Sequence, residues 1–109
     1  MEKLTFSTNW NNKLSNDYFT TLRLSGRLQV GQLIEVEDRG VGKGLYEVID
    51  KRSLTISQLN DWICFLDTGY NTVETVKILK EMYRFVSDWD TRPIYWYLIG
   101  RKKHGKKSG

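Results

Sequence analysis

Thr21 and Arg23 stand two positions apart in the run Tyr18-Phe19-Thr20-Thr21-Leu22-Arg23. The run is rich in aromatic and β-branched residues, so it reads as a strand, and alternate side chains of a strand share a face. Thr21 and Arg23 therefore point one way, while Thr20, Leu22 and Leu24 point the other. A hydroxyl beside a guanidinium fork suits a site that holds phosphate or the edge of a nucleobase. A solvated strand face with an ion pair at its rim would use the same two residues.

Other residues can contribute to such a site. In Arg39-Gly40-Val41-Gly42-Lys43-Gly44 the glycines alternate, but neither the Walker spacing nor the dinucleotide fingerprint is met, and a strand follows instead of a helix. The stretch reads as a flexible hairpin connection whose tip residue, Lys43, can reach a phosphate. Glu47 and Asp50 are the carboxylates placed to approach a barrel mouth. Either can serve as a general base if burial raises its pKa, or simply pair with Lys51 or Arg52. Trp10, in the polar stretch Asn9 to Asn12, can stack on a base or plug one end of a core. Cys64 has no basic neighbour on its helix and reads as inert. The one histidine, His104, lies apart from it, so no metal or cofactor is expected.

The elements that would position these groups follow from periodicity. Lys3 to Thr8 alternates Leu4 and Phe6 with polar residues, a half-buried strand. Val30-Gly31 supplies a turn before a strand from Leu33 to Asp38, in which Ile34 and Val36 face inward and Glu35 and Glu37 outward. Leu45 to Leu54 is apolar on both faces and reads as a central or covered strand. Ser57 is a candidate N-cap for a helix over Gln58 to Leu66, buried through Leu59, Trp62, Ile63 and Leu66 and stopped at Asp67-Thr68-Gly69. A second helix starts at Thr72, with Val73, Val76, Leu79, Met82, Tyr83 and Val86 as its inner stripe. After the turn Ser87 to Arg92 and Pro93, Ile94 to Ile99 is an aromatic strand that must be interior to avoid aggregation. Some of its rings can offer stacking surfaces.

A chain of 109 residues makes one domain. With 39% hydrophobic residues, four tryptophans and six tyrosines it must fold. The formal charge is +4, which favours an anionic partner. Arg101, Lys102, Lys103, Lys106 and Lys107 carry that excess, and no acid follows Asp90. The division expected is a folded domain over residues 1–100 and a mobile basic tail over 101–109, either a phosphate-binding arm or a solubilising appendage. The lone cysteine forbids an intrachain disulfide, and neither a signal peptide nor a bilayer-length apolar run is apparent. A cytoplasmic protein with no membrane partner is the expectation.

The order of these parts resembles the ASCH domains of the PUA-like superfamily. The likeness rests on the helix-forming Asn11 to Leu14, then Tyr18 to Arg23, then Val30-Gly31-Gln32 opening a strand, and on the closing aromatic strand. The ASCH signature is a glycine, a lysine two residues on, a glutamate three later and an arginine two after that. Aligned on Arg23, it puts Thr21 at the glutamate, Tyr18 at the lysine and Asn16 at the glycine, so only the arginine is kept. The resemblance implies an α+β fold, a small mixed PUA-like β-barrel with two to three helices packed on it. It also implies RNA, single-stranded nucleic acid or a modified nucleoside as partner. On that reading Thr21, Arg23, Lys43, Trp10 and Tyr18 grip a nucleotide, and Arg101, Lys102 and Lys103 hold backbone phosphates. Some ASCH domains are hydrolases of nucleoside amides or RNA, with a lysine, a threonine and an acid. Thr21, Lys13 and Glu47 are the candidates for that set here. A third reading is a protein-interaction module, such as an accessory protein of a phage or mobile element.

Overall fold

The structure, a computed structural model, describes residues 2–6, 13–14 and 16–102. Among these residues five strands and two α-helices form one α+β domain. β1 is Glu2–Phe6, β2 Tyr18–Arg23, β3 Leu33–Asp38, β4 Val41–Leu54 and β5 Ile94–Arg101, while α1 is Asp61–Thr68 and α2 Thr72–Met82. The strands lie in the order β1-β3-β4-β5-β2. β1 runs parallel to β3 and every other pair is antiparallel, which makes the sheet mixed. It does not close by backbone pairing, so β1 and β2 are both edges.

The two edges nevertheless meet through side chains. Arg23 Nη2 on β2 donates to Thr5 O on β1 at 3.0 Å, and Arg27 Nη2 donates to Lys3 O at 2.9 Å. The Phe6 and Phe19 rings pack edge to face with centroids 5.8 Å apart. The sheet thus curls around a core that includes Leu4, Phe19, Ile34, Val36, Tyr46, Val48, Tyr97 and Ile99. Its opposite face carries Leu22, Leu54, Ile94 and Trp96 beneath the helices, with Leu59, Cys64 and Leu79. β5 lies between β4 and β2, so the aromatic strand is interior as its composition requires.

β4 is longer than the periodicity suggests, and it absorbs the glycines. The connection from β3 is only Arg39-Gly40, both with positive φ (51° and 85°), as a two-residue hairpin demands. Gly42 and Gly44 belong to the strand, and Lys43 sits in a bulge: Val36 pairs with Gly44 and Glu37 with Gly42. The flexible loop expected over this stretch is therefore a tight turn followed by paired strand. A second bulge, between Val48 and Asp50, switches the face that alternate residues of the strand present. Tyr46 and Val48 face the curled core, and beyond the bulge Leu54 faces the helices.

α1 starts later than expected, whereas α2 starts at Thr72 as expected, and both helices depart in part from their expected buried stripes. Ser57 does not cap α1; it lies in a 3₁₀ turn, Ile56–Gln58, where the Gln58 side chain returns to accept from Thr55 N at 2.8 Å. Asn60 caps α1 and Gly69, at φ 81°, ends it. The residues α1 buries are Cys64, Asp67 and Thr68, while Trp62 is 73% exposed and Leu66 is also outside. Turned this way, the helix brings Asp67 to the buried Lys13. α2 buries Thr75 and Leu79 and leaves Val73 and Met82 outside, and Val86 lies beyond its end. The two helices meet through hydroxyls, Thr68 Oγ1 lying 2.9 Å from Thr75 Oγ1.

The expected boundary at residue 100 also moves. Arg101 is the last residue of β5, and Lys102 N donates to Leu45 O at 2.8 Å. No helix among the described residues is long and apolar enough to cross a membrane.

Candidate functional site

An edge strand leaves every second N–H and C=O without a ladder partner. On β2 two of these groups, Thr20 O and Leu22 N, turn away from β5 toward the seam between the sheet's edges. Lys13 Nζ donates to Thr20 O at 2.8 Å, and Leu22 N donates to Asp67 Oδ2 at 3.1 Å. Lys13 and Asp67 then close on each other as a buried ion pair. Each charge thus has a partner of opposite sign and a backbone group of the open edge, the arrangement that makes burying a charge tolerable. Burial pulls the Lys13 ammonium below its usual value, and the Asp67 carboxylate works in the opposite direction.

Thr21 and Arg23 share a face, as strand alternation requires. Arg23 Nε donates to Thr21 Oγ1 at 3.2 Å, which leaves the hydroxyl hydrogen of Thr21 free to donate elsewhere. The guanidinium also lies 4.6 Å from the centroid of the Phe6 ring, a cation–π contact that fixes its plane. Burial lowers its pKa, and a guanidinium remains charged at neutral pH even so. With Nε on Thr21 and Nη2 on Thr5, Nη1 has no hydrogen-bond partner among the described residues.

These groups line one hollow of about 190 Å³ between β1, β2 and the helices. Lys13, Thr21, Arg23 and Asp67 form its polar wall, and Ile78, Met82 and Tyr83 of α2 and the segment after it form the opposite side. Two cations against one carboxylate leave the wall with one positive charge in excess. The volume is below that of a pocket for a drug-sized ligand and suits a phosphate, a carboxylate or part of a sugar.

The remaining candidates lie elsewhere. Tyr18 is 63% exposed at the start of β2 and lines a different concavity. Lys43 is in the β4 bulge, and its carbonyl accepts from Arg101 Nη1 at 3.1 Å. Glu47 pairs with Lys102 at 3.7 Å, outside the hollow, which removes it as the acid of a Lys13–Thr21 set. Asp50 pairs with Arg52 at 3.2 Å. Arg101 is held by Asp17 at 3.3 Å and lies over Tyr46, so it belongs to the folded body. Trp10 and Lys103 lie outside the described residues. Cys64 is buried, and burial pushes its thiol pKa up, away from nucleophilic reactivity. No cluster of three metal-ligating side chains occurs among the described residues.

Asp67 is the residue the sequence reading missed. It sits in the last turn of α1, where a carboxylate runs against the helix dipole. That local oddity is its only signal, since its partner is 54 positions away. No family model, curated protein or solved structure matches this chain.

Proposed function

We propose that this chain is an RNA-binding module of the ASCH, PUA-like kind, in which the hollow beside β2 takes a phosphate or the sugar-phosphate of one nucleotide. The observation that supports the reading is that Thr21, Arg23 and Lys13 line one small space with a net positive wall. Arg23 offers a donor that its contacts among the described residues leave unused, and Thr21 offers a second donor beside it. The curled sheet fits a barrel left open along one seam, with the hollow at that seam. Contacts to phosphate position a strand without specifying bases.

Anisotropy of a labelled single-stranded RNA, titrated with the full chain, Arg23→Ala, Arg23→Lys and a chain ending at Lys102, tests this. Ending at Lys102 spares β5 and its last backbone contact. Arg23→Ala is expected to weaken binding about tenfold, in line with a lost charged hydrogen bond. Arg23→Lys should recover only part, because an ammonium keeps charge but loses the fork. Loss on truncation alone, with Arg23→Ala binding as the parent, would assign binding to nonspecific charge and reject the hollow.

One observation favours a second reading. Lys13, Thr21 and an acid, Asp67, line the same hollow, the trio of residue types expected of a hydrolase acting on nucleoside amides. Against it, Lys13 is tied to Asp67 and Thr20 O, and no base hydrogen-bonds to Thr21 among the described residues. Turnover of acetylated cytidine that Thr21→Ala abolishes would promote the hydrolase; its absence leaves the binding module.

A further inference from the structure

The opposite face of β2 opens on a second concavity, of about 580 Å³, a size that accommodates a nucleoside. Tyr18 from β2, Trp62, Phe65 and Leu66 from α1, and Trp96 and Leu98 from β5 line it. Most of its wall is aromatic or aliphatic, yet two polar atoms of its lining residues are without partners. Thr20 Oγ1 and Trp96 Nε1 are shielded from water and make no hydrogen bond among the described residues. Thr20 itself is only 5% exposed. Such groups are costly to leave unmade, and a native chain rarely leaves them so without a use. They are also neighbours: Thr20 pairs with Leu98 and Leu22 with Trp96, which sets Thr20 and Trp96 diagonally on one face.

We propose that this groove binds a planar heteroaromatic ring of the nucleobase type. The ring stacks among Tyr18, Trp62 and Phe65, and its edge accepts from Trp96 Nε1 and pairs with the Thr20 hydroxyl. An aliphatic or phenyl side chain would fill the space but leave both polar groups unpaired, whereas a base edge offers ring nitrogens and exocyclic groups that satisfy them. Trp62 projects from α1 largely into solvent and Phe65 is about half exposed, so their rings can part to admit the guest. Neither Thr21 nor Arg23 lines this groove, and Lys13 is the one residue that it shares with the hollow proposed above. The ring can arrive as a free nucleoside or as an unpaired base of a strand.

Calorimetric titration of the full chain with adenosine, cytidine, a short oligoadenylate and benzyl alcohol tests the assignment. Thr20→Val and Trp96→Phe, which delete the polar groups and keep the bulk, should each weaken binding of the base about 5- to 10-fold. Thr20→Val should melt at the same temperature as the parent or higher, since it removes an unpaired buried hydroxyl. Arg23→Ala should leave nucleoside binding unchanged. Binding of nucleosides identifies a free ligand, and binding of the oligonucleotide alone identifies a strand. The proposal is overturned if neither binds, if benzyl alcohol binds as tightly as the nucleosides, or if both variants bind like the parent. Oligonucleotide binding that Arg23→Ala abolishes and Thr20→Val leaves untouched also counts against the groove and for the hollow.

Discussion

At the scale of single residues, the Lys13–Asp67 pair carries more than its charge. Replacing a buried ion pair with apolar residues is often tolerated, but here each partner also satisfies a backbone group of an unpaired strand edge. Asp67→Ala strands an ammonium and the Leu22 N–H together, and the expected loss is ~3–5 kcal/mol in urea unfolding. Lys13→Met combined with Asp67→Leu should cost less than Asp67→Ala, since no lone charge remains, yet more than zero, because Thr20 O and Leu22 N lose their partners. A double-mutant cycle read by the same unfolding measures the coupling. Thr21 and Arg23 were legible as a pair because they are two apart on a strand, and period-two geometry is local. Asp67 was not, because only the folded chain brings residue 67 to residue 13, and its local setting reads as a helix stop.

At the scale of elements, the strands were easier to read than the faces of the helices. Ile34 and Val36 alternate cleanly with Glu35 and Glu37, and β3 buries them as expected. The bulges in β4 left no periodic trace, since a one-residue insertion only swaps the buried side partway along. α1 defeats its own hydrophobic stripe because Asp67 and the Thr68 hydroxyl have partners inside. Asp61, at the first turn of α1, pins the next helix: its Oδ1 accepts from Thr72 N at 2.9 Å and from Thr72 Oγ1 at 2.7 Å. These bonds hold its pKa below the ordinary 3.8. Its contribution is therefore present above that value and is lost as pH falls through the folded-state pKa. Melting temperatures at neutral pH and at pH ~3 should differ less for Asp61→Asn than for the parent, because the variant no longer titrates there. Gly31, at φ 88°, would meet nothing within 4 Å as alanine. Gly31→Ala should therefore cost only backbone strain, ~1 kcal/mol in the same unfolding assay.

At the scale of the whole molecule, topology sets the kinetics. β2 pairs with β5 across most of the sequence, Tyr18 with Gly100 and Arg23 with Tyr95. β1 must find β3 in parallel register, Glu2 beside Ile34. Such distant pairings raise the entropy of closure, so stopped-flow refolding is expected on the millisecond-to-second scale rather than in microseconds. The interior place of β5 has a consequence for the chain during synthesis. The strand that completes the sheet leaves the ribosome after the other four, so β2 waits with both edges bare while about seventy residues are added at ~5–20 per second. For those seconds a stretch able to template foreign strands has nothing of its own to hold. A nascent chain stopped before Ile94 is therefore the form of this protein most exposed to chaperone capture or aggregation.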